Sequence, residues 1–332
     1  MTAGAARSAV TANDIARRLR GETKVLAISH EAPDGDALGC LSAFMLICER
    51  LGIACATYIP GVSEFPPEYA FLPRVETIHR GDPPPIDPDT TIYFFDCASL
   101  LRSNSHGFPE GALRINVDHH QDNPAYGDLN LIDATAPSTT AMLYEICRAG
   151  DIPVGPDVAV ALYVGLVTDT GRFQYSNTTP RAHRIAAELQ EAGIDVASVY
   201  RKVYESTPLP KLLLLQRALG HLEVRLDGAL IVSWLGGADF AETGADEGHA
   251  EGIIDTLRQI KGARAAAFVR ELGRGGSVRS KVSLRSTDGS LDVAALAAKK
   301  GGGGHVRAAG FTSDEDVSTV LAWIEHEVAG AL

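Results

Sequence analysis

The stretch Val25–Cys40, VLAISHEAPDGDALGC, constrains the chain more than any other. A β-branched apolar run passes into a turn carrying His30, Asp34 and Asp36, and an apolar helix opens near Ala37. Pro33 and Gly35 bend the backbone of that turn. Two carboxylates two residues apart, beside an imidazole at a strand end, cost free energy unless a cation neutralises them. The alternative reading is a plain strand-to-helix turn with Asp36 as N-cap.

The same pattern returns twice. The run Thr91–Phe95 leads into Asp96, and Ala112–Val117 leads into Asp118-His119-His120. Lys24–Ser29 and Ala54–Ile59 also read as strands. Helices are expected over Asn13–Gly21, Ala37–Arg50 (stopped at Gly52), Ser138–Arg148, Pro156–Val167 and Thr179–Ala192 (closed by Gly193). Short apolar strands alternating with helices predict an α/β fold with a doubly wound parallel sheet. In such sheets ligands sit at the carboxyl ends of the strands. His30 to Asp36, Asp96, and Asp118 to His120 are therefore expected at one edge. Asp169, in Thr168-Asp169-Thr170-Gly171, closes a helix against its dipole and so calls for a cation nearby.

A chain of 332 residues fits two domains. Residues 1–194 form the metal-binding domain, 195–216 a linker broken by Pro208 and Pro210, and 217–332 a smaller α+β domain, with the active-site cleft between the two. In the second domain, strands are expected over Ala229–Leu235, Ala265–Leu272, Val278–Arg285 and Ala308–Thr312. Its helices are expected over Glu251–Ile260 and Asp292–Lys300, with a last one from Glu315.

Hydrophobic content of 45% with 22% charged residues suits a sizeable core. There is no apolar run of membrane-spanning length, and MTAGAARSAVTAND has no secretory h-region and reads as a short disordered start. The five cysteines (Cys40, Cys48, Cys55, Cys97, Cys147) include no C-x-x-C pair, which suits buried fillers in a reducing compartment, the cytoplasm.

A net charge of -12 argues against a protein that coats long duplex nucleic acid. The charge is uneven: Arg258 to Arg307 holds eleven Lys or Arg against three acids (Glu271, Asp288, Asp292). Metal chemistry early in the chain and an anion grip late in it are the implied division. Within the late segment, Lys299-Lys300 precedes four glycines, Gly301 to Gly304, whose bare N–H groups can cup a phosphate. His305 adds a donor or stacks on a base, and Arg279–Arg285 supplies further cations. The alternatives are a flexible loop and a solvated edge strand.

Taken together, HEAPDGDALGC, FFDCAS, NVDHHQDN and LVTDTGRFQYSNTT resemble, in order, the four motifs of the DHH phosphoesterases. KVSLRS and KKGGGGHVRAAGF resemble the DHH-associated C-terminal domain. The likeness covers nearly the whole chain from Lys24 and is nearest to the bacterial bifunctional oligoribonuclease (nanoRNase) and pAp-phosphatase group. It implies two Mn²⁺ ions, with Mg²⁺ or Co²⁺ as substitutes. One would be held by His30, Asp34 and Asp96, the other by Asp36, Asp96, His119 and Asp169, with Asp96 bridging. Asp118 would stand behind the ligands and His120 would face the scissile phosphate, both in catalytic roles. Arg285, Gly302, Gly303, Gly304 and His305 would grip the nucleotide. Cys40 departs from the small residue usual at that position, and CASLLRSNSHG fits its motif only loosely, so Arg102 receives no role.

Oxygen and imidazole donors without thiolate suit Mn²⁺ or Mg²⁺. Two such ions activate a water and clamp the phosphoryl oxygens, so no protein nucleophile is required. The expected activity is hydrolysis of short oligoribonucleotides to 5′-mononucleotides and of 3′-phosphoadenosine 5′-phosphate (pAp) to AMP. Short RNA and small nucleotides are then the partners, with no membrane and with room for a homodimer. A linear or cyclic dinucleotide phosphodiesterase would use the same parts. A non-catalytic nucleotide-binding regulator is the alternative from another class, opposed by the complete ligand set.

Overall fold

The computed structural model describes residues 8–62, 65–103, 108–109, 111–271, 279–287 and 289–332. The opening MTAGAAR, part of the loop after Asp96, and Val278 at the start of one expected strand lie outside them. The chain divides into two units, Met1–Ser206 and Thr207–Leu332.

The first unit runs β1 (Ser8–Ala9), α1 (Ala12–Leu19), β2 (Lys24–Ile28), α2 (Gly35–Leu51), β3 (Ala54–Pro60), β4 (His79–Gly81), β5 (Thr91–Phe95), β6 (Arg114–Asp118), β7 (Leu129–Ile132), α3 (Thr139–Ala149), α4 (Pro156–Asp169), α5 (Pro180–Glu191) and α6 (Val196–Tyr204). Its seven strands lie in the order β1-β7-β6-β5-β2-β3-β4, every neighbouring pair parallel. This is the expected doubly wound sheet. Both faces are covered, so its central strands are apolar on both sides rather than alternately, with Thr91 and Asn116 as buried polar exceptions. In β5, Tyr93 and Phe95 pack on one side against Phe44 of α2, each with ring centroids 4.8 Å from it. Ile92 and Phe94 point into a second cluster with Leu26, Ile28 and Tyr58.

Asp34, not Asp36, caps α2. Its Oδ1 accepts from the N–H groups of Asp36 (3.0 Å) and Ala37 (3.1 Å), and the helix therefore begins at Gly35. Asp36 sits inside the first turn, almost wholly buried.

The second unit runs α7 (Leu209–Gly220), β8 (Glu223–Arg225), β9 (Leu230–Leu235), α8 (Gly237–Thr243), α9 (Ile253–Leu257), β10 (Ala265–Glu271), β11 (Ser280–Ser286), α10 (Val293–Ala298), β12 (Gly303–His305), β13 (Ala308–Ser313) and α11 (Val317–Ala331). The mixed sheet has the order β12-β13-β11-β10-β9-β8, with only β9 and β10 parallel. One face carries Val269, Val282 and Leu284 and packs with residues of α10 and α11; the other buries Ile231, Ala266 and Phe268 with residues of α7 and α9. The segment 195–216 is mostly helical, with α6 closing the first unit and Pro208 capping α7 in the second. The helix expected over Glu251–Ile260 is shorter, Ile253–Leu257, with Gly252 at φ 85° setting its start. All five cysteines are free thiols. Among the described residues no helix is long and apolar enough to cross a membrane.

Candidate metal centre and nucleotide platform

Three adjacent parallel strands, β6, β5 and β2, end at the same sheet edge. Each hands its polar residues to that edge directly: His30 after β2, Asp96 after β5, and Asp118 to His120 at the end of β6. Asp34 and Asp36 arrive on the first turn of α2, and Asp169 on the last turn of α4. Gly35 lets these two helix ends close up, because a Cβ there would strike the Thr168 side chain. Asp96 itself holds a left-handed backbone, φ 52°, a conformation that Asp and Asn accept more readily than other side chains.

Ligand-type atoms of His30, Asp34 and Asp96 lie within 4.8 Å of one another, as do those of Asp36, His119 and Asp169, and those of Asp96, His119 and His120. Asp96 is central. Its Oδ2 is 3.4 Å from His30 Nε2, and its Oδ1 is 3.6 Å from His119 Nε2 and 3.5 Å from His120 Nδ1. His119 Nε2 is also 3.6 Å from Asp169 Oδ2. The buried Asp118 pairs with His120, not His119: its Oδ1 lies 2.8 Å from His120 Nδ1 and accepts the His119 N–H at 2.8 Å.

Burial and Asp96 push the Asp36 carboxyl up to about 7. Burial, with Asp36, Asp96 and Asp34, pushes Asp169 up to about 9. Asp34 is raised as well, by burial and Asp96. Asp96 goes the other way: burial opposes ionisation, but the hydrogen bond with His30 and the nearby imidazoles hold it low. No Lys or Arg makes a salt bridge to these four carboxylates among the described residues. Cys40, buried beneath them, has its thiol pushed up by burial and by Asp36, so it offers no thiolate. Crowded carboxylates and imidazoles, with no Lys or Arg paired to the four acids among the described residues, fit hard or borderline divalent cations.

Several supporting residues carry no signal of their own in sequence. The N-terminus of α3 clamps Asp36: Thr139 N–H donates to Oδ2 (2.7 Å), while Thr140 N–H (2.9 Å) and its hydroxyl (2.7 Å) donate to Oδ1. Asn177 Nδ2 donates to the carbonyls of Pro137 (2.9 Å) and Asp169 (3.1 Å). Arg102 Nη2 approaches His30 Nδ1 at 2.9 Å, where the Glu31 carbonyl also lies, at 2.8 Å. Because Nδ1 cannot donate to Glu31 and accept from Arg102 at once, a His30 that ligates through Nε2 keeps the Glu31 bond.

In the second unit, register places His305, Ala308 and Arg285 in one cross-strand row, and Gly303, Gly310 and Ser283 in the next. Arg285 is held by Asp255 of α9, with Nε 3.2 Å from Oδ1. Gly304 has φ 143°, and a Cβ there would meet the backbone of Ala308 and Ala309. Gly303 differs: a Cβ on it would project into open space. Gly302 is packed against Gly310 and Phe311 and serves the fold.

Comparison with known proteins follows the same division. The model of the DHH family, N-terminal domain, matches residues 24–166, and that of the DHHA1 domain matches 227–330. The chain belongs to the DHH family and carries a DHHA1 domain. It is 29% identical over 316 residues to the bifunctional oligoribonuclease and PAP phosphatase NrnA of Thermus thermophilus, covering 93% of this chain and 92% of that one. It is 27% identical over 305 residues to the NrnA of Bacillus subtilis, covering 89% and 92%. An exopolyphosphatase-related protein from Bacteroides fragilis shares the fold, with a TM-score of 0.82 at 24% identity over 95% of this chain and 94% of that one.

Proposed function

We propose that the chain is a metal-dependent phosphoesterase that hydrolyses short oligoribonucleotides to 5′-mononucleotides and removes the 3′-phosphate of pAp. The observation that carries this reading is the position of Asp96, with one carboxylate oxygen toward His30 and the other toward His119. Relatives of similar length are named for both activities, which supports the same reading.

In this reading His30, Asp34 and Asp96 hold one Mn²⁺, and Asp36, Asp96, His119 and Asp169 hold the other. Bound there, the pair supplies Lewis acidity toward phosphoryl oxygens and acidifies a water at neutral pH. Thr139 and Thr140 fix the Asp36 carboxylate, and Asn177 fixes the backbone at Asp169. His120, whose Nδ1 lies 2.8 Å from Asp118, with its pKa raised to about 9 in the metal-free protein mainly by that hydrogen bond, is the group placed to donate a proton toward the phosphate or the leaving oxygen. Arg285 contributes a guanidinium to the nucleotide, His305 a ring, and Gly303 a backbone that a ribose or base can approach without meeting a side chain. Five free thiols suit a reducing cytoplasm.

A turnover panel with Mn²⁺ on a five-mer RNA, pAp, pGpG, a cyclic dinucleotide and pyrophosphate tests this. Fastest turnover on the five-mer and pAp is expected. Preference for pGpG or the cyclic dinucleotide would replace the substrate assignment, and inactivity on all five would end the phosphoesterase reading.

A further inference from the structure

The sheet face that carries Arg285 and His305 continues past them. Two residues along β11 from Arg285 lies Ser283, opposite Gly310 on one side and Phe268 on the other; two further lies Lys281. Lys281 stands directly opposite Arg270 on β10 and opposite Thr312 on β13. Side chains of opposed antiparallel residues share a face, at about 5 Å between Cα atoms. Arg270 and Lys281 are thus like charges facing one another, an arrangement that destabilises a strand pair.

Most cations around them are neutralised. Arg285 and Arg258 pair with Asp255, Arg279 with Asp314, Lys299 with Glu327 and Lys300 with Glu315. Among the described residues the side chains of Arg270 and Lys281 form neither an ion pair nor a hydrogen bond, and Arg270 Nε is buried without a partner. Burial pulls the Arg270 guanidinium below the ordinary arginine value, with Glu247 and Glu251 acting the other way. In a chain of net charge -12, two opposed cations that no acid among the described residues approaches within ion-pair distance are the arrangement an anionic ligand would complete.

We propose that Arg270 and Lys281 form a second phosphate subsite, taking a backbone phosphate of an oligonucleotide whose neighbouring nucleotide lies over the Gly303–Gly310–Ser283 row. The inference rests on reading this face as a nucleotide platform. Lys281 lies four residue steps along β11 from Arg285, roughly 13 Å, so the two grips take different phosphates of one chain. Between them the Gly303, Gly310 and Ser283 row carries almost no side-chain bulk, which leaves a flat floor. Arg270 brings a planar fork, Lys281 a mobile ammonium and Thr312 a hydroxyl.

The test is equilibrium binding to the full chain in EDTA, where hydrolysis is off, with a fluorescent pentaadenylate and with AMP as probes. Lys281→Gln is expected to weaken pentaadenylate binding about tenfold and leave AMP unchanged. It should also reduce the slope of log Kd against log salt by about 0.7, the value for one lost single-strand phosphate contact. Arg270→Gln should act the same way, and Lys281→Arg should restore both affinity and slope. Unchanged pentaadenylate binding, or equal weakening of both probes, overturns the subsite. If the wild-type chain binds neither probe, the platform reading falls and the subsite with it. Salt-dependent binding through Lys281 in a chain that turns over none of the panel substrates keeps the subsite and removes the proposed activity.

Discussion

His120 Nδ1 lies 2.8 Å from Oδ1 of the fully buried Asp118, while a third of the imidazole remains exposed. The hydrogen bond to Asp118 is the largest contribution raising His120 to about 9; the charges of Asp118, Asp96 and Asp169 add to it and burial opposes it. Asp118→Asn keeps the shape and removes the charge. The ring should then titrate at least about one unit lower, followed by NMR of His120 in metal-free protein. An unmoved midpoint would remove Asp118 as the cause, and with it the account of a proton held on His120 at neutral pH.

The two principal carboxylate shifts set a pH dependence for the metal-free protein. Asp36 binds its proton up to about 7 and Asp169 up to about 9, whereas unfolded carboxyls release theirs near 4. Between those values the folded state holds more protons than the unfolded one, so stability falls as pH rises. His120, also raised, contributes in the same direction from its unfolded value up to about 9. Thermal midpoints in EDTA should therefore drop from about pH 5 to about pH 9, and Mn²⁺ should restore more at the alkaline end. A flat or rising profile in EDTA contradicts this.

Substitution at Asp96 separates charge from backbone conformation. Asp96→Asn and Asp96→Ala should both lose Mn²⁺ binding by calorimetry and all measurable hydrolysis. Only the alanine meets the left-handed φ of 52° without a side chain suited to it, and it should be less stable than the asparagine variant by about 1 kcal/mol. His119→Ala should also lose hydrolysis with the fold kept. Wild-type rates in any of the three would refute the paired-cation reading.

The glycine run offers a contrast within two residues. Gly304→Ala is strained by its φ of 143° and by contact with Ala308 and Ala309, and should melt lower than wild type. Gly303→Ala meets nothing in the fold and should melt with wild type, yet raise KM for a dinucleotide. His305→Ala should likewise raise KM for the dinucleotide more than it slows bis-nitrophenyl phosphate. Equal effects on the two substrates would remove His305 from the nucleotide grip.

Thr140 tests the outer support of the centre. Its hydroxyl is 2.7 Å from Asp36 Oδ1 and has no counterpart in valine. Thr140→Val should cost about tenfold in Mn²⁺ affinity with little change in fold, since partners that orient a ligand carry effects of that order. Calorimetric titration of the variant decides it.

The parallel sheet and the edge where its acids gather were legible because β2 and β5 are largely apolar runs that end abruptly in polar residues, and β6 follows the same pattern with one buried interruption, Asn116. What stayed hidden is tertiary. Thr139 and Thr140 read as an ordinary helix start, and only packing turns their N–H groups onto Asp36. Asp255 lies 30 residues before its partner Arg285, beyond the reach of any local pattern. The three-residue β12 is built of two glycines and a histidine, so it has no apolar alternation to announce it. At α2 the sequence suggests Asp36 as the cap, and Asp34 takes that place because its Oδ1 reaches the two free N–H groups of Asp36 and Ala37.

Asp34 thereby serves two masters with one carboxyl: one oxygen ties down the start of a seventeen-residue helix, and the group as a whole stands among the ligand-type atoms around His30 and Asp96. Loss of catalysis and loss of this helix can therefore be uncoupled only by a residue that still accepts from those amides. A descendant of this chain that abandoned chemistry for mere nucleotide sensing would be expected to carry Asn or Ser at position 34, not an aliphatic side chain.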